Sequence, residues 1–329
     1  MSSMPVFAGI DLGGTNTRVG ILDPEGGFHG PDVFPTQSCS SIQIYAATLA
    51  TAIGAAVRKV HPEARLAGVG VAAPAGNAFD GTIQSPSNLA WGTVDMRSAL
   101  EPHVCVPVTV SNDAAAAALG EYWYGAARGT RHCIVITLGT GLGSGFILDG
   151  KLLQGAHGLA GELGHVILEP DGRLCGCGRR GCAETIVSAT GLRRTVEELL
   201  QKGEEPSLLR AVESSSLDAR VIFRAAEQGD PLAREAFAIM ARYLGRLLVD
   251  LATVFDPEMI VLSGGVMNAG PFVLDPSIEW FQEHALQVRR GGLRIVRSTM
   301  TDGGAAMRGV ASLAARQANL PGQWNERRR

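Results

Sequence analysis

Two segments of this 329-residue chain repeat one layout, and any fold must accommodate both. Residues 6–22, V-F-A-G-I-D-L-G-G-T-N-T-R-V-G-I-L, and residues 132–148, H-C-I-V-I-T-L-G-T-G-L-G-S-G-F-I-L, each read as strand, glycine turn, strand. The first turn leads into a strand and not a helix, which excludes a dinucleotide-binding fingerprint. A phosphate-loop match at G-F-I-L-D-G-K-L fails too, because Leu152 stands where Ser or Thr must reach Mg²⁺. Asp149-Gly150 then reads as a hairpin turn. One such hairpin near the start of each half predicts an internal duplication, and the length suits two domains.

Between and after the hairpins come strands whose ends carry polar residues. L-A-G-V-G-V-A-A-P-A-G-N is an apolar run stopping at Gly76-Asn77, at a strand's C-terminal end, where open α/β sheets bind ligands. In S-P-S-N-L-A-W, Ser87 and Asn88 could offer hydrogen bonds to a polyol and Trp91 an apolar wall; a plain surface loop reads equally well. V-P-V-T-V-S-N-D ends at Asn112-Asp113, directly before a helical alanine run. Asp113 is there either an N-cap or a base able to accept a hydroxyl proton. Asp11, at the tip of the first hairpin, either holds Mg²⁺ through water or bonds its own turn. M-I-V-L-S-G-G-V is a strand ending in Gly264-Gly265, another point open to close backbone approach. Helical periodicity covers 42–60 and, after Asp230-Pro231, a long segment with Met240, Leu244, Leu247, Leu248, Leu251 and Phe255 on one stripe.

Cys175, Cys177 and Cys182 fall within eight residues, separated by glycines, with His165 ten residues upstream. Three thiolates and an imidazole make a common closed zinc site. The alternatives are a reduced surface loop, or a disulfide with one thiol left over. The other three of the six cysteines are isolated, so no disulfide framework is expected and the cytoplasm is the expected location. A net charge of −3 carries no footprint for nucleic acid, and no apolar run is long enough for a membrane span. Glycine, at 42 residues, is about twice its usual ~7% share, as expected of tight turns around a ligand.

Taken together, D-L-G-G-T-N-T-R at 11–18, S-N-D-A-A at 111–115, T-L-G-T-G-L-G-S-G at 137–145, G-E-L-G-H at 161–165, C-G-C-G-R-R-G-C-A-E at 175–184 and L-S-G-G-V at 262–266 resemble the ROK family, and within it bacterial glucokinases. The resemblance implies a duplicated actin-like, ribonuclease-H-like α/β fold closing on a central cleft. Its smaller domain would take residues 1–113 plus about 305–329, and its larger one 114–304 with the zinc loop. It implies ATP- and Mg²⁺-dependent phosphorylation of glucose at the 6-hydroxyl, by a homodimer or dimer of dimers.

Carried over by motif, Asp113 would be the base, with Asn112 beside it. Glu162, His165 and Glu184 would hold sugar hydroxyls, joined by Gly76, Asn77 and Asn88. Gly13, Gly14, Thr15 and Thr17 of the first hairpin, and Thr137, Gly139, Thr140 and Gly141 of the second, would cradle the phosphates. Asp11 would hold Mg²⁺, and Gly264-Gly265 would lie against the adenosine. His165 would serve twice, one ring nitrogen on structural zinc and the other on the sugar. The resemblance leaves N-acetylglucosamine or N-acetylmannosamine kinases as alternatives within the enzyme class. A sugar-responsive regulator is opposed by the first strand beginning at Val6, ahead of which a DNA-binding domain would be expected. An actin-like filament ATPase is opposed by the cysteine loop.

Overall fold

The computed structural model describes residues 4–36, 41–84, 91–203, 205–300 and 303–318. The chain opens with β1 (Met4–Leu12), β2 (Asn16–Leu22), β3 (Phe28–Pro35), α1 (Ile42–Val60), β4 (Ala64–Ala73), β5 (Thr82–Ile83), β6 (Val94–Asp95), α2 (Met96–Val104), β7 (Val108–Asn112) and α3 (Asp113–Tyr124). It continues through β8 (Cys133–Leu138), β9 (Leu142–Leu148), β10 (Lys151–Leu152), α4 (Ala189–Lys202), α5 (Ala219–Glu227), α6 (Pro231–Phe255), β11 (Met259–Ser263), α7 (Leu274–His284), β12 (Arg294–Arg297) and α8 (Ala305–Gln317).

Two five-stranded sheets follow one plan. The first has the order β3-β2-β1-β4-β7 and the second β10-β9-β8-β11-β12. In each, an antiparallel meander supplies the first strands and two further strands join in parallel: β4 and β7 beyond β1, β11 and β12 beyond β8. This is the duplicated, ribonuclease-H-like (actin-like) α/β fold, and it places the two glycine hairpins at equivalent positions.

The chain forms two units: one gathers residues up to Gly129, Gly145–Ala160 and the chain from Thr299 on, the other Thr130–Ser144 and Gly161–Ser298. These bounds differ from the division after Asp113 that the resemblance implies. Helix α3 stays with the first unit because it packs against α8. That packing uses glycine: a Cβ at Gly120 would stand 2.0 Å from the Ala305 carbonyl oxygen, and one at Gly309 1.9 Å from that of Ala116. The same helix α8 presses onto the sheet, where a Cβ at Gly9 would meet the Met307 carbonyl at 2.1 Å and one at Gly70 that of Val310 at 2.2 Å. The glycine excess thus serves helix packing as well as ligand turns.

Local chemistry accounts for the elements. Ser41 caps α1 by accepting from the Ile44 N–H, Arg58 and Lys59 sit in its last turn, and Tyr45, Leu49, Ile53 and Val57 bury one stripe against the first sheet. Asp230 caps α6, with Pro231 in its first turn. The expected apolar stripe of α6 is buried from Met240 through Leu251, while Phe255 is half-buried. Asp149 and Gly150 both take positive φ, 51° and 72°, as a two-residue hairpin of this type requires. No helix among the described residues is long and apolar enough to cross a membrane.

Candidate active site

At the end of β7 the capping role falls to Asn112 and not to Asp113. Asn112 Oδ1 accepts from the N–H groups of Ala114 (2.9 Å) and Ala115 (3.1 Å), so Asn112 is the N-cap of α3. Asp113 becomes the first helical residue, its Oδ1 accepting from the neighbouring Ala114 N–H at 2.8 Å. Burial pushes the Asp113 carboxyl above its ordinary value, against the pull of the backbone N–H groups of Ala114 and of Asp113 itself. A carboxyl raised in this way sits nearer to neutral pH, which suits a general base. Gly76 is held to this strand end: a Cβ there would meet the Ser111 carbonyl oxygen at 2.4 Å.

Asp11, near the end of β1, faces Arg18 across the β1–β2 pair. Its carboxyl is also raised, first by burial and then by the charge of Asp113, with Arg18 pulling it down. Two carboxylates that repel each other in a half-buried setting suit a divalent cation. In the turn beyond, the Gly13 N–H closes on the Asn16 carbonyl at 3.0 Å, and Thr15 lies exposed at the tip. Thr17 is different. It is fully buried, and its hydroxyl bonds Thr36 (2.8 Å) and the Tyr45 hydroxyl (3.0 Å) inside the core. Asn77 likewise is buried, its amide donating to the His157 carbonyl (3.0 Å) and accepting from the Phe79 N–H (2.9 Å). These two bonds tie two loops together through the protein's own backbone. Asn88 lies outside the described residues.

In the second hairpin the Gly139 N–H closes on the Gly141 carbonyl at 3.0 Å. Its rim is supported from β11, where Ser263 pairs with Thr137 and Gly264, at φ +95°, lies so near Leu138 that a Cβ would meet the Leu138 oxygen at 2.4 Å. Cβ atoms at Gly139 and Gly265 would meet nothing within 4 Å, leaving backbone open for close approach, while Thr140 is exposed at the tip.

The cysteine loop closes around four groups that could hold a metal ion. His165, Cys175, Cys177 and Cys182 bring their ligand atoms within 4.8 Å of one another. Cys177 and Cys182 sulfurs are 3.6 Å apart, and the Cys175 sulfur is 3.6 Å from His165 Nδ1. Metal bonds of about 2.3 Å to sulfur and ~2.0–2.1 Å to nitrogen give tetrahedral edges of about 3.8 Å and about 3.6 Å, so these two pairs already stand near a zinc ion's spacing. Burial pushes the Cys182 thiol up to about 12 and raises Cys175, while the Arg179 backbone N–H leads in bringing Cys177 down to about 6. Cys177 is the most readily ionised of the three, and a bound cation would favour the thiolate form of them all. His165 turns Nδ1 to the sulfurs and Nε2 outward, 3.9 Å from the exposed Glu162 carboxylate. Glu184 projects two residues beyond Cys182, its Oε1 3.9 Å from the Cys175 sulfur and its Oε2 accepting from the Leu142 N–H at 3.0 Å.

This constellation has known relatives. The ROK family model matches residues 7–317. The chain belongs to the ROK family. It is 35% identical over 284 residues to a glucokinase of Halalkalibacterium halodurans, covering 85% of this chain and 86% of that one. It is 37% identical over 279 residues to a glucokinase of Streptomyces coelicolor, covering 83% and 86%. Among solved structures of ROK proteins, a glucokinase from Streptomyces griseus in complex with glucose and AMPPNP superposes with a TM-score of 0.79 at 34% identity, covering 95% of this chain and all of that one.

Proposed function

We propose that this ROK protein is a glucokinase that transfers the γ-phosphoryl group of ATP to the 6-hydroxyl of glucose. The observation that carries the reading is Asp113: a half-buried carboxylate at a strand end, its carboxyl raised by burial and relieved of capping duty by Asn112. In the transfer, Asp113 takes the proton of the sugar hydroxyl, the oxygen forms a bond to the γ-phosphorus, and the bond to the β-phosphate bridge breaks to release ADP. Such reactions depend chiefly on positioning and charge neutralisation. The backbone of the two glycine hairpins supplies N–H groups to the phosphates, and Gly264-Gly265 lets the adenosine approach β11. Mg²⁺, held through water by Asp11, would offset phosphate charge.

Glu162, Glu184 and His165 Nε2 hold the remaining sugar hydroxyls. Zinc on His165, Cys175, Cys177 and Cys182 would be structural, fixing the imidazole so that Nε2 carries the proton it donates to the sugar. The working form in this reading is a cytoplasmic homodimer or dimer of dimers. A coupled assay of ADP release across glucose, mannose, N-acetylglucosamine and N-acetylmannosamine, with ATP and with polyphosphate, tests the reading. Glucose with ATP is expected to give the highest kcat/KM; a preference for an N-acetylated sugar would overturn it.

A further inference from the structure

The second glycine hairpin is gripped by both arms of the clip that the cysteine loop forms. On one side the Leu142 N–H donates to Glu184 Oε2 at 3.0 Å, and a Cβ at Gly141 would stand 2.2 Å from that same oxygen. The carboxylate therefore lies flat against the hairpin tip, in space that only glycine leaves. On the other side the Leu142 carbonyl presses on the G-E-L-G-H turn, where a Cβ at Gly164 would meet it at 2.3 Å, and Ser144 Oγ donates to the Gly161 carbonyl at 2.5 Å. One backbone unit, Leu142, thus sits between the His165 arm and the Cys182–Glu184 arm.

The grip has a rigid backing. Ser188 Oγ donates to the Glu184 carbonyl at 2.8 Å and caps α4 by accepting from the Gly191 N–H. The first N–H of α4, from Ala189, donates to the Gly139 carbonyl at 2.9 Å. Arg173 fixes the next link, donating to the Thr185 carbonyl at 2.6 Å while its other nitrogens pair with Glu198.

Resting on the kinase reading for its ligands, we propose that Glu184 is a positioning residue for the nucleotide as well as a holder of sugar: its carboxylate locks the Leu142 amide, so the clip that sets the sugar contacts also sets the phosphate cradle. A hydrogen bond to a charged acceptor that is made only when the hairpin is in place favours that geometry before either substrate arrives.

The test measures AMPPNP·Mg²⁺ affinity by calorimetry without sugar, and amide hydrogen exchange at Leu142, in the metal-loaded protein. Glu184→Ala is expected to bind AMPPNP about ten-fold more weakly and to exchange Leu142 faster, the factor that loss of one charge-assisted bond gives. Glu184→Gln keeps an acceptor oxygen, so AMPPNP affinity stays within about two-fold while glucose affinity falls. Gly141→Ala keeps the carboxylate but displaces it, and should reproduce Glu184→Ala. Wild-type AMPPNP affinity and Leu142 exchange in both Glu184→Ala and Gly141→Ala would overturn the proposal while leaving the kinase reading intact. A wild-type protein that phosphorylates no sugar, yet exchanges Leu142 faster on either substitution, would remove the kinase reading and keep the lock.

Discussion

The two hairpins share one layout and are held in place by different means. Around the first, the support is internal: Thr17, Thr36 and Tyr45 form a buried trio of hydroxyls beneath the turn, and Tyr45 stacks at a tilt on Trp91, 4.7 Å between centroids. Around the second, the support is added: the segment between β10 and α4 folds back, gathers His165 with the three cysteines, and grips Leu142 between its two arms. The same sheet order underlies both. Duplication therefore supplies a frame, and specialisation comes from what each copy acquired. The first hairpin kept the acidic chemistry, with Asp11 in its strand and Asp113 near enough to raise it. The second acquired the side chains that hold.

If chemistry and holding are separated in this way, they should fail separately. The largest effect belongs to chemistry. Asp113→Asn is expected to lower kcat by ~10²–10⁴-fold with glucose KM little changed, because only the proton acceptor is lost. Turnover above about a tenth of wild type in steady-state assays would break the division at its first point, since that is less than the usual loss on removing a base.

Next comes the clip. Cys177→Ser removes one of the four metal donors, so metal affinity should drop by more than the ~10–100-fold that even an outer-shell partner costs. Wild type should carry one equivalent of zinc by mass spectrometry. The variant should show raised glucose KM and faster amide exchange in residues 139–142, with exchange around Gly13 unchanged. Equal loosening of both hairpins would erase the contrast between them.

How much of this was legible from the residues depends on where the information lies. The hairpins, the α1 helix and the cluster of His165, Cys175, Cys177 and Cys182 are written in residues close together along the chain, and the structure forms the elements and brings the four side chains together. β3 escaped because Pro31 and Pro35 interrupt it, as they can in an edge strand. α2 escaped because Pro102 breaks its pattern. Thr17, which the resemblance places in the phosphate cradle, has its hydroxyl turned inward to Tyr45 by strand alternation. The role of Leu142 is carried by a backbone N–H, which has no letter in a sequence. Its only trace is the glycine on either side of the contact, at 141 and at 164.

A smaller effect tests the internal support of the first hairpin. Thr17→Val keeps the shape of the side chain and removes the hydroxyl shared by Thr36 and Tyr45. Leaving buried hydroxyls short of a partner costs roughly 1–3 kcal/mol. Urea denaturation should show that loss with the slope unchanged, and zinc content should not move. A neutral Thr17→Val would mean that the trio does not support the turn.

The subtlest test is pH, because it separates the acidic side of the molecule from the clip by sign alone. Burial raises the Asp113 carboxyl above its ordinary 3.8 in the folded protein, so folding favours the protonated form. Stability contributed by this group is full below the ordinary value, falls as pH rises toward the raised one, and stays lost above it. At neutral pH Asp113 is therefore a cost to folding, and Asp113→Asn should be more stable than wild type, an advantage that shrinks as pH drops toward 3.8. The same raised carboxyl must be ionised to accept a proton, so the acid limb of kcat/KM should lie above the ordinary carboxylate range. Asp113→Asn should also lower the carboxyl of Asp11, since the charge that pushes it up is gone. Carbon-detected NMR titration of the Asp11 carboxyl in both proteins reads that shift directly. An Asp11 titration that ignores the substitution would show that the two carboxylates do not sense each other, and the acidic half of the comparison would fall.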